Sequence, residues 1–358
     1  MKAAVCYEFG KPLVIEELEL EPPKAGQVKV KLSACAICHS DIHYMEGAWG
    51  GQLPAVYGHE AAGVVDSVGP GVRSVNPGDH VVVTLIRSCG HCYYCEQGEP
   101  TICEGDFPAS ESPKLSKSGD RIVQGLNSAT FAEETVVHES QVVTIPKDVA
   151  FDSASLLACG VITGLGAVVN TAKVPSGSSV VVIGTGGVGL NSIQGARLSG
   201  AHVIVAVDLV DEKLEAARRF GATHTVNPKE EDAGDYIRSV TSGRGADYVF
   251  VTVGSPKAIE ESFSYIRSGG TTVIVGMPAV GDTVTFDPLD FAGANQRVLG
   301  SKMGATRLRV DMPKLIDLYY QGRLLLDELI SNRYSIEEIN EAVASVNRQE
   351  ALRNVIVF

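Results

Sequence analysis

The chain has 358 residues, of which 44% are hydrophobic and 20% charged, a balance typical of globular proteins that bury a sizeable core. Thirty lysines and arginines against 43 aspartates and glutamates give a formal net charge of −13, which argues against nucleic acid or an anionic membrane as a partner. We find no run of 18 apolar residues and no secretory hydrophobic region, so we expect no membrane span and a cytoplasmic protein.

Mostly β-structure is predicted for residues 1 to about 155. Val28, Val30 and Leu32 alternate with polar residues, as a half-buried strand requires. Further predicted strands are 61–68, 80–86 and 135–145. Proline- and glycine-rich turns separate these short runs, which is typical of a twisted barrel or sandwich.

The eight cysteines favour metal ligands or unpaired thiols over disulfides, because no secretory segment is predicted. Four of them lie within 15 residues, at Cys89, Cys92, Cys95 and Cys103. Gaps of two, two and seven residues let one loop wrap a tetrahedral ion, which is typical of structural zinc. Such a site can also be a nucleic-acid-binding ribbon, but the acidic charge and the lack of a basic flank argue against it. His91 is interpreted as a solvated loop residue.

A dinucleotide-binding pattern follows. The β-branched run 179–183 predicts a buried parallel strand that ends in a glycine-rich turn. The glycines of this turn are Gly184, Gly186, Gly187 and Gly189. Apolar spacing over 188–198 predicts a helix whose N-terminus would hold a pyrophosphate. A second strand, 202–207, ends at Asp208, where an acidic side chain can accept both ribose hydroxyls of an adenosine.

Helices and strands continue to alternate after this unit. Predicted helices are 211–220 and 259–266, and predicted strands are 247–253, 271–275 and 297–301. Strands of this kind, alternating with helices, fit an α/β fold with a doubly wound parallel (Rossmann) sheet. Two amphipathic helices, 312–322 and 336–346, precede a terminal strand, 354–358. The last 55 or so residues exceed what the sheet needs, so we expect them to return to the first domain.

A second set of possible metal ligands is dispersed, at Cys38, His59 and Cys159. Spacing alone does not group these residues, and each by itself is more often a core or surface side chain. Three protein ligands with an open fourth position nevertheless describe a catalytic zinc site. Cys35 and Cys6 are interpreted as small buried side chains.

The segment Gly58-His-Glu-Ala-Ala-Gly63, continuing to Gly69 and Val72, resembles the signature of zinc-dependent alcohol dehydrogenases of the medium-chain dehydrogenase/reductase superfamily. The resemblance covers essentially the whole chain and includes both cysteine sets, the glycine-rich turn and the acid that follows it. It implies a mainly β GroES-like catalytic domain and an inserted Rossmann NAD-binding domain.

The resemblance also sets the domain bounds. The catalytic domain would comprise residues 1–160 and 303–358, with a structural zinc lobe at about 86–105. The NAD-binding domain would comprise residues 161–302. The resemblance also implies NAD and two zinc ions per chain, one catalytic and one structural.

The resemblance assigns roles around the catalytic zinc. Cys38, His59 and Cys159 would bind the ion, which lowers the pKa of an alcohol in its open position. Glu60 would be a neighbour or an occasional fourth ligand of the zinc. Asp41 would hold the His59 ring in the tautomer that leaves one nitrogen for the metal.

Proton release is assigned in the same way to Ser40, which would accept the proton of the alcohol, and to His43, which would pass it to solvent through the cofactor ribose. A solvated loop is the plainer interpretation of His43 and His39, and a turn or cap residue is the plainer interpretation of Asp41.

Contacts to NAD are also implied by the resemblance. His39 and Arg353 would meet the pyrophosphate, Thr163 the nicotinamide carboxamide, and Lys213 the adenosine ribose, although a surface lysine fits Lys213 almost as well. The full set assigned to NAD is His39, Thr163, Gly184, Gly186, Gly187, Val188, Gly189, Asp208, Lys213, Val253 and Arg353. Asp208 would repel a 2′-phosphate, and Leu209-Val210 supply no arginine to receive one, which predicts NAD over NADP.

The function implied is reversible hydride transfer between NAD and a primary or secondary alcohol, giving an aldehyde or ketone. Trp49, Leu85 and Ser40 are predicted to line a mostly apolar pocket for medium-chain or aromatic substrates. Gly105-Asp106 stand where glutathione-dependent formaldehyde dehydrogenases carry a basic residue for the substrate carboxylate, and Gly47 replaces an acidic group. Both departures count against S-(hydroxymethyl)glutathione as the substrate.

Two alternatives stay open. A polyol or amino-alcohol dehydrogenase of the same superfamily would need a more polar pocket, and a non-enzymatic structural or binding protein on this fold would lack a zinc ligand or the glycine-rich turn. We expect a homo-oligomer, a dimer rather than a tetramer, formed through an edge strand near 297–301.

Overall fold

Short strands joined by turns form most of what the structure describes before residue 150. The computed structural model describes residues 1–107 and 114–358. The strands here are β1 (Lys2–Cys6), β2 (Val14–Glu17), β3 (Glu19–Leu20), β4 (Gln27–Ala36), β5 (Ala55–Val56), β6 (Glu60–Val68), β7 (His80–Thr84), β8 (Leu115–Lys117), β9 (Asp120–Gln124), β10 (Glu134–His138) and β11 (Val142–Thr144). Two helices, α1 (His39–Met45) and α2 (Tyr93–Glu96), and the 3₁₀ turns Pro100–Ile102, Gly125–Asn127 and Glu139–Gln141 lie between them.

The single strand predicted over 135–145 is wrong, because two strands, β10 and β11, occupy this stretch. A 3₁₀ turn separates them. The backbone N–H of His138 donates to Gln141 Oε1 at 3.3 Å, and that of Ser140 donates to His138 Nδ1 at 3.2 Å. These side-chain acceptors give the backbone an alternative to continued strand pairing.

One long helical run follows, and it corrects the expectation that no segment could span a membrane. It comprises α3 (Phe151–Leu156), the π-helical turn Leu157–Val161, α4 (Ile162–Gly166) and the π-helical turn Ala167–Thr171. By length and composition this run could cross a bilayer. However, 83% of its most apolar window is buried inside the protein, as in the core helix of a globular fold.

A parallel sheet covered by helices follows, as the alternating sequence pattern predicts. Its strands are β12 (Ser179–Ile183), β13 (Val203–Val207), β14 (His224–Val226), β15 (Ala246–Val251), β16 (Ile266–Ile274) and β17 (Arg297–Gly300). The helices are α5 (Gly187–Leu198), α6 (Asp211–Phe220), α7 (Ala233–Val240), α8 (Pro256–Tyr265) and α9 (Pro288–Gly293), and a 3₁₀ turn, Met303–Ala305, follows β17. The strand order is β14-β13-β12-β15-β16-β17, which confirms the predicted doubly wound sheet.

The C-terminal residues form α10 (Leu308–Tyr320), the 3₁₀ turn Asp327–Leu329, β18 (Ile330–Tyr334), the 3₁₀ turn Ile336–Glu338, α11 (Ile339–Asn347) and β19 (Arg353–Val357). Strand β19 pairs antiparallel with β4, with Val355 opposite Ala36. The end of the chain therefore joins the same sheet as the N-terminal strands.

Two sheets carry the β-rich unit. One has the order β2-β1-β5-β9-β8-β3, and the other has the order β11-β7-β6-β4-β19-β18 with β10 also paired to β4. Val28, Val30 and Leu32 of β4 belong to its buried apolar core, as their alternation predicts. Together with the parallel sheet, these sheets confirm the predicted fold class.

The chain divides into two units, residues 1–160 with 307–358 and residues 161–306. The first boundary is the predicted one, and the second lies four residues after the predicted 302/303 boundary. The reason is that Met303–Ala305 packs against the α4 region. Asn170 Nδ2 donates to the carbonyl of Gly304 at 3.1 Å, and a Cβ on Gly166 would lie 2.4 Å from the same oxygen.

Candidate active site

Four buried side chains from separate parts of the β-rich unit converge on one point. Cys38 precedes α1, His59 and Glu60 stand at the start of β6, and Cys159 lies in the π-helical turn after α3. Their ligand atoms all lie within 4.8 Å of one another. We call this set the buried cluster. The structure thus brings together the three predicted zinc ligands and the acidic neighbour.

Asp41 fixes the His59 ring. Its Oδ1 lies 2.9 Å from His59 Nδ1 and accepts from the backbone N–H of Gly58 at 2.9 Å, while Oδ2 accepts from the backbone N–H of Cys38 at 3.2 Å. The carboxylate is fully buried, so these contacts hold it in place. With the Nδ1 proton directed at Asp41, the Nε2 lone pair is left for a metal.

His59 Nε2 is buried and has no hydrogen-bond partner among the described residues. A buried polar atom without a partner is costly unless a ligand satisfies it. Two thiols and one imidazole are also the donor set that zinc prefers. The buried cluster therefore fits a zinc ion.

Arg353 contacts the other side of the buried cluster. Its guanidinium on β19 forms a buried ion pair with Glu60 Oε2, while Glu60 Oε1 has no partner among the described residues. Gly160 makes room for the guanidinium, because a Cβ there would lie 2.7 Å from Arg353 Nη1. The sequence did not indicate this ion pair, and a contact of Arg353 with a pyrophosphate stays a prediction.

The side chains of the buried cluster shift one another's pKa values. A hydrogen bond from Cys159 lowers the pKa of the Cys38 thiol well below its usual value despite burial, and the same bond raises the pKa of Cys159. Burial alone would lower the pKa of His59, but Asp41 and Cys38 reverse this and raise it well above its usual value. Burial raises the pKa of Glu60 to about 7, although Arg353 opposes the shift. The shifts show that these side chains act on one another directly, because each change has a neighbouring member of the set or Asp41 or Arg353 among its causes.

The second cluster lies at the surface of the same unit. The ligand atoms of Cys89, Cys92, Cys95 and Cys103, which we call the loop cluster, also lie within 4.8 Å of one another. The backbone N–H groups of Cys89 and Gly105 donate to Cys103 Sγ at 3.3 and 3.2 Å. All four thiols are half-buried, and no disulfide joins them.

Two thiols of the loop cluster differ in pKa, because a backbone donor acts on one and burial acts on the other. The backbone N–H of Cys95 lowers the pKa of Cys92 to about 6, whereas burial raises the pKa of Cys95 to about 12. Gly105 is required for space, because a Cβ there would lie 2.6 Å from the Cys89 Cβ. His91 is exposed, with Nδ1 2.9 Å from the Cys89 carbonyl, and lies outside the cluster.

Helix α1 carries the predicted proton path and begins directly after Cys38. His39 is exposed, while Ser40 and His43 are half-buried. The His43 ring lies 4.9 Å from the Trp49 ring, centroid to centroid.

Tyr44 contacts Trp49, and Tyr57 in turn contacts Tyr44. Tyr44 meets Trp49 edge-on at 5.4 Å and stacks with Tyr57 at 5.9 Å. Sequence reasoning missed both tyrosines, although Tyr44 is four residues after Ser40 on the same helix and therefore lies on the same face. Leu85 is half-buried and follows β7.

The glycine-rich turn has the shape that a pyrophosphate requires. Gly184 has a φ of 87°, and a Cβ there would lie 2.4 Å from Val253 Cγ1. A Cβ on Gly189 would lie 1.8 Å from the Gly184 carbonyl oxygen, whereas one on Gly186 would meet open space. No side chain caps α5 at Gly186, so its first N–H groups fit an anionic ligand.

The other residues assigned to NAD are also in the second unit, except His39 and Arg353. Asp208 follows β13 and is half-buried, and Lys213 is half-buried on α6. Val188 lies in the first turn of α5. Thr163 lies in α4, and its Oγ1 is 3.7 Å from the Met303 sulfur.

Two family models match the chain. Residues 24–147 match the alcohol dehydrogenase GroES-like domain, and residues 187–321 match the zinc-binding dehydrogenase domain.

Curated relatives and solved structures match over the full length. The chain is 40% identical to alcohol dehydrogenase class-3 of Cereibacter sphaeroides (100% of this chain, 99% of that protein) and 38% identical to S-(hydroxymethyl)glutathione dehydrogenase of Paracoccus denitrificans (100% and 99%). The crystal structure of benzyl alcohol dehydrogenase from Acinetobacter calcoaceticus is similar, with a TM-score of 0.93 and 32% identity over 100% of this chain and 99% of that one.

Proposed function

Because the chain belongs to the zinc-dependent alcohol dehydrogenases of the medium-chain dehydrogenase/reductase superfamily and is an oxidoreductase acting on alcohols, we propose that it transfers hydride reversibly between NAD and a medium-chain or aromatic alcohol. The product is an aldehyde or a ketone. The observation that carries the proposal is the orphaned Nε2 of His59 beside two buried thiols, in a chain that also has a nucleotide-binding turn.

Cys38, His59 and Cys159 would hold the catalytic zinc, and the loop cluster would hold a structural one. A zinc ion with an open position supplies a Lewis acid that lowers the pKa of an alcohol hydroxyl. Asp41 keeps the His59 ring in one orientation through Nδ1. Arg353 neutralises Glu60, which limits the negative charge beside the thiols.

Ser40 and His43 would carry the substrate proton away. A serine hydroxyl can accept one proton while it donates another, so it relays a proton without holding charge. An imidazole can take up and release a proton near neutral pH. Contact with Trp49 orients the His43 ring at the other end of α1 from His39.

Residues of the second unit would hold NAD, which supplies the hydride acceptor when it is bound. The first N–H groups of α5 would bind its pyrophosphate and Asp208 its adenosine ribose, with Lys213 beside it. Thr163 would contact the nicotinamide carboxamide, and Val253, which lies beside Gly184, would also contact the cofactor. His39 and Arg353 would meet the pyrophosphate.

The aromatic group Trp49, Tyr44 and Tyr57 supports an apolar substrate. A polyol or an amino alcohol would favour a more polar or charged surrounding than these mostly apolar rings, and a non-enzymatic protein would not need the intact donor set. The relative that acts on S-(hydroxymethyl)glutathione suggests a second candidate. Against it, Gly105 has no room for a side chain.

The choice between apolar and polar substrates is tested with a panel of alcohols and NAD, in which the absorbance of NADH measures turnover. We expect kcat/KM for benzyl alcohol or a medium-chain alkanol to exceed that for a polyol by at least about tenfold, which is roughly 1.4 kcal/mol. S-(hydroxymethyl)glutathione should be as poor as the polyol. A preference for either polar substrate would contradict the proposal.

We also propose a homodimer formed through β17. All four residues of this strand are exposed at the edge of the parallel sheet, with Val298 46% and Leu299 37% exposed. An apolar edge strand of this kind can pair across a two-fold axis. Light scattering at micromolar concentration should give twice the mass of one chain, and the mass of one chain would contradict the proposal.

A further inference from the structure

Thr185 lies inside the glycine-rich turn and is bonded to the acidic residue that follows β13. Its side chain is fully buried. Its backbone N–H donates to Asp208 Oδ2 at 2.7 Å, and its Oγ1 donates to the same oxygen at 2.9 Å. On the opposite side, the backbone N–H of Val210 donates to Asp208 Oδ1 at 3.1 Å. Three donors therefore hold one carboxylate.

These bonds determine which hydrogen-bond acceptor positions of Asp208 stay available to a ligand. A carboxylate has about four lone-pair positions, two on each oxygen. Thr185 occupies both positions on Oδ2, and Val210 occupies one on Oδ1. The remaining acceptor position is therefore on Oδ1, which leaves room for one ribose hydroxyl rather than for the two expected from the sequence. Rotation of the carboxylate about its own axis would break at least the two bonds from Thr185.

The turn that carries Thr185 is itself fixed from another direction. Thr252 Oγ1 donates to the carbonyl oxygens of Gly184 at 2.8 Å and Ile183 at 3.0 Å. Thr252 thus supports the same turn without bonding to Asp208. Thr252 is therefore a matched control residue, because its hydroxyl stabilises the turn but is not bonded to Asp208.

We propose that Thr185 is a positioning residue for cofactor choice, which holds Asp208 so that a ribose with an unmodified 2′-hydroxyl is preferred over one with a 2′-phosphate. The proposal rests on the proposed use of NAD. A fixed Oδ1 can accept from a ribose hydroxyl at no cost of reorientation. A 2′-phosphate has no proton to donate there, and an immobile carboxylate cannot turn away from its charge.

The test is the binding of NADH and NADPH, measured by fluorescence titration, to the full-length parent and to Thr185→Val. Valine keeps the shape and the backbone N–H and removes only the hydroxyl. We expect Kd for NADH to rise and the preference for NADH over NADPH to fall by about tenfold, the scale of one hydrogen bond to a charged group. Thr185→Ser retains the hydroxyl and should restore the parental preference.

Thr252→Val is the matched control. It should weaken both cofactors by the same factor and leave the preference unchanged, even if its melting temperature falls as much as that of Thr185→Val. An equal loss of preference in both valine variants, or an unchanged preference in Thr185→Val, would overturn the proposal. A parent that binds neither nucleotide would instead refute the proposed function, so the two failures are distinguishable.

Discussion

The two candidate metal clusters have similar donors but are built in opposite ways. The loop cluster takes four thiols from 15 consecutive residues, lies half-exposed and is surrounded by backbone N–H donors. The buried cluster takes its donors from three separate parts of the chain and is surrounded by charged side chains, Asp41 and Arg353. A site built by one loop can stabilise that loop, whereas a site built by the whole unit can control the charge and orientation of each donor. We therefore expect the loop cluster to serve stability and the buried cluster to serve catalysis.

The largest effect is expected from Cys38→Ser. Serine is a poor zinc ligand at neutral pH, so the buried cluster should lose its metal and turnover should fall by about a thousandfold or more, at least ~4 kcal/mol. Steady-state alcohol oxidation measures the loss, and circular dichroism should show a retained fold. Cys35→Ser is the matched control, because Cys35 is also buried but bonds to Thr130 outside the cluster. Equal activity of Cys38→Ser and Cys35→Ser would show that the buried cluster takes no part in catalysis.

Cys92→Ser should act on stability instead. Loss of a structural zinc site removes folding free energy, so we expect a destabilisation of about 3 kcal/mol and a melting temperature lower by roughly 5–10 °C. Scanning calorimetry measures the shift. His91→Ala, in the same loop but outside the loop cluster, should change it little. If Cys92→Ser melts like the parent, the loop cluster has no structural role.

A smaller effect is expected from Asp41→Asn. The amide cannot accept through both of its terminal atoms, so it would lose either the bond from the Cys38 N–H or the two bonds that Oδ1 receives from Gly58 and His59. Either loss disturbs the position of a zinc ligand, and zinc affinity and kcat/KM should fall by about 10–100-fold. The exposed Asp66→Asn on β6 is the control and should match the parent. Parental zinc affinity in Asp41→Asn would show that the aspartate is only a cap of α1.

His43→Gln should have the smallest effect, because this residue lies two steps from the substrate on the proposed proton path. Alcohol oxidation should fall by about tenfold, or ~1.4 kcal/mol, mostly near and below neutral pH, and small buffer bases should restore part of it. Ser40→Ala should cost considerably more. The measurement is the pH profile of alcohol oxidation with saturating NAD. A His43→Gln profile that matches the parent at every pH would exclude the relay.

The comparison of the clusters also explains what the sequence could predict. The loop cluster follows from local spacing, and the parallel sheet follows from β-branched runs and glycine-rich turns. The buried cluster needed a family resemblance, because Cys38 and Cys159 are 121 residues apart and no local pattern joins them. The pairing of Arg353 with Glu60 depends on β19 returning beside β4, which is set by the sheet rather than by any motif.

Other features are too short or too dependent on context for pattern reasoning. Strand β14 has three residues and was not predicted, and the split between β10 and β11 depends on side-chain acceptors at His138 and Gln141. Thr185 is unremarkable in sequence between two glycines, and its bond to Asp208 becomes visible only in the folded turn.

The central claim, that each chain holds two zinc ions with separate tasks, is tested most directly by zinc analysis of active protein together with the two cysteine variants. Inductively coupled plasma mass spectrometry on the same preparations used for turnover and melting provides the measurement. We predict two zinc ions in the parent, one in Cys38→Ser that melts like the parent but is inactive, and one in Cys92→Ser that is destabilised but active while folded. One ion or none in fully active parent protein would contradict the account.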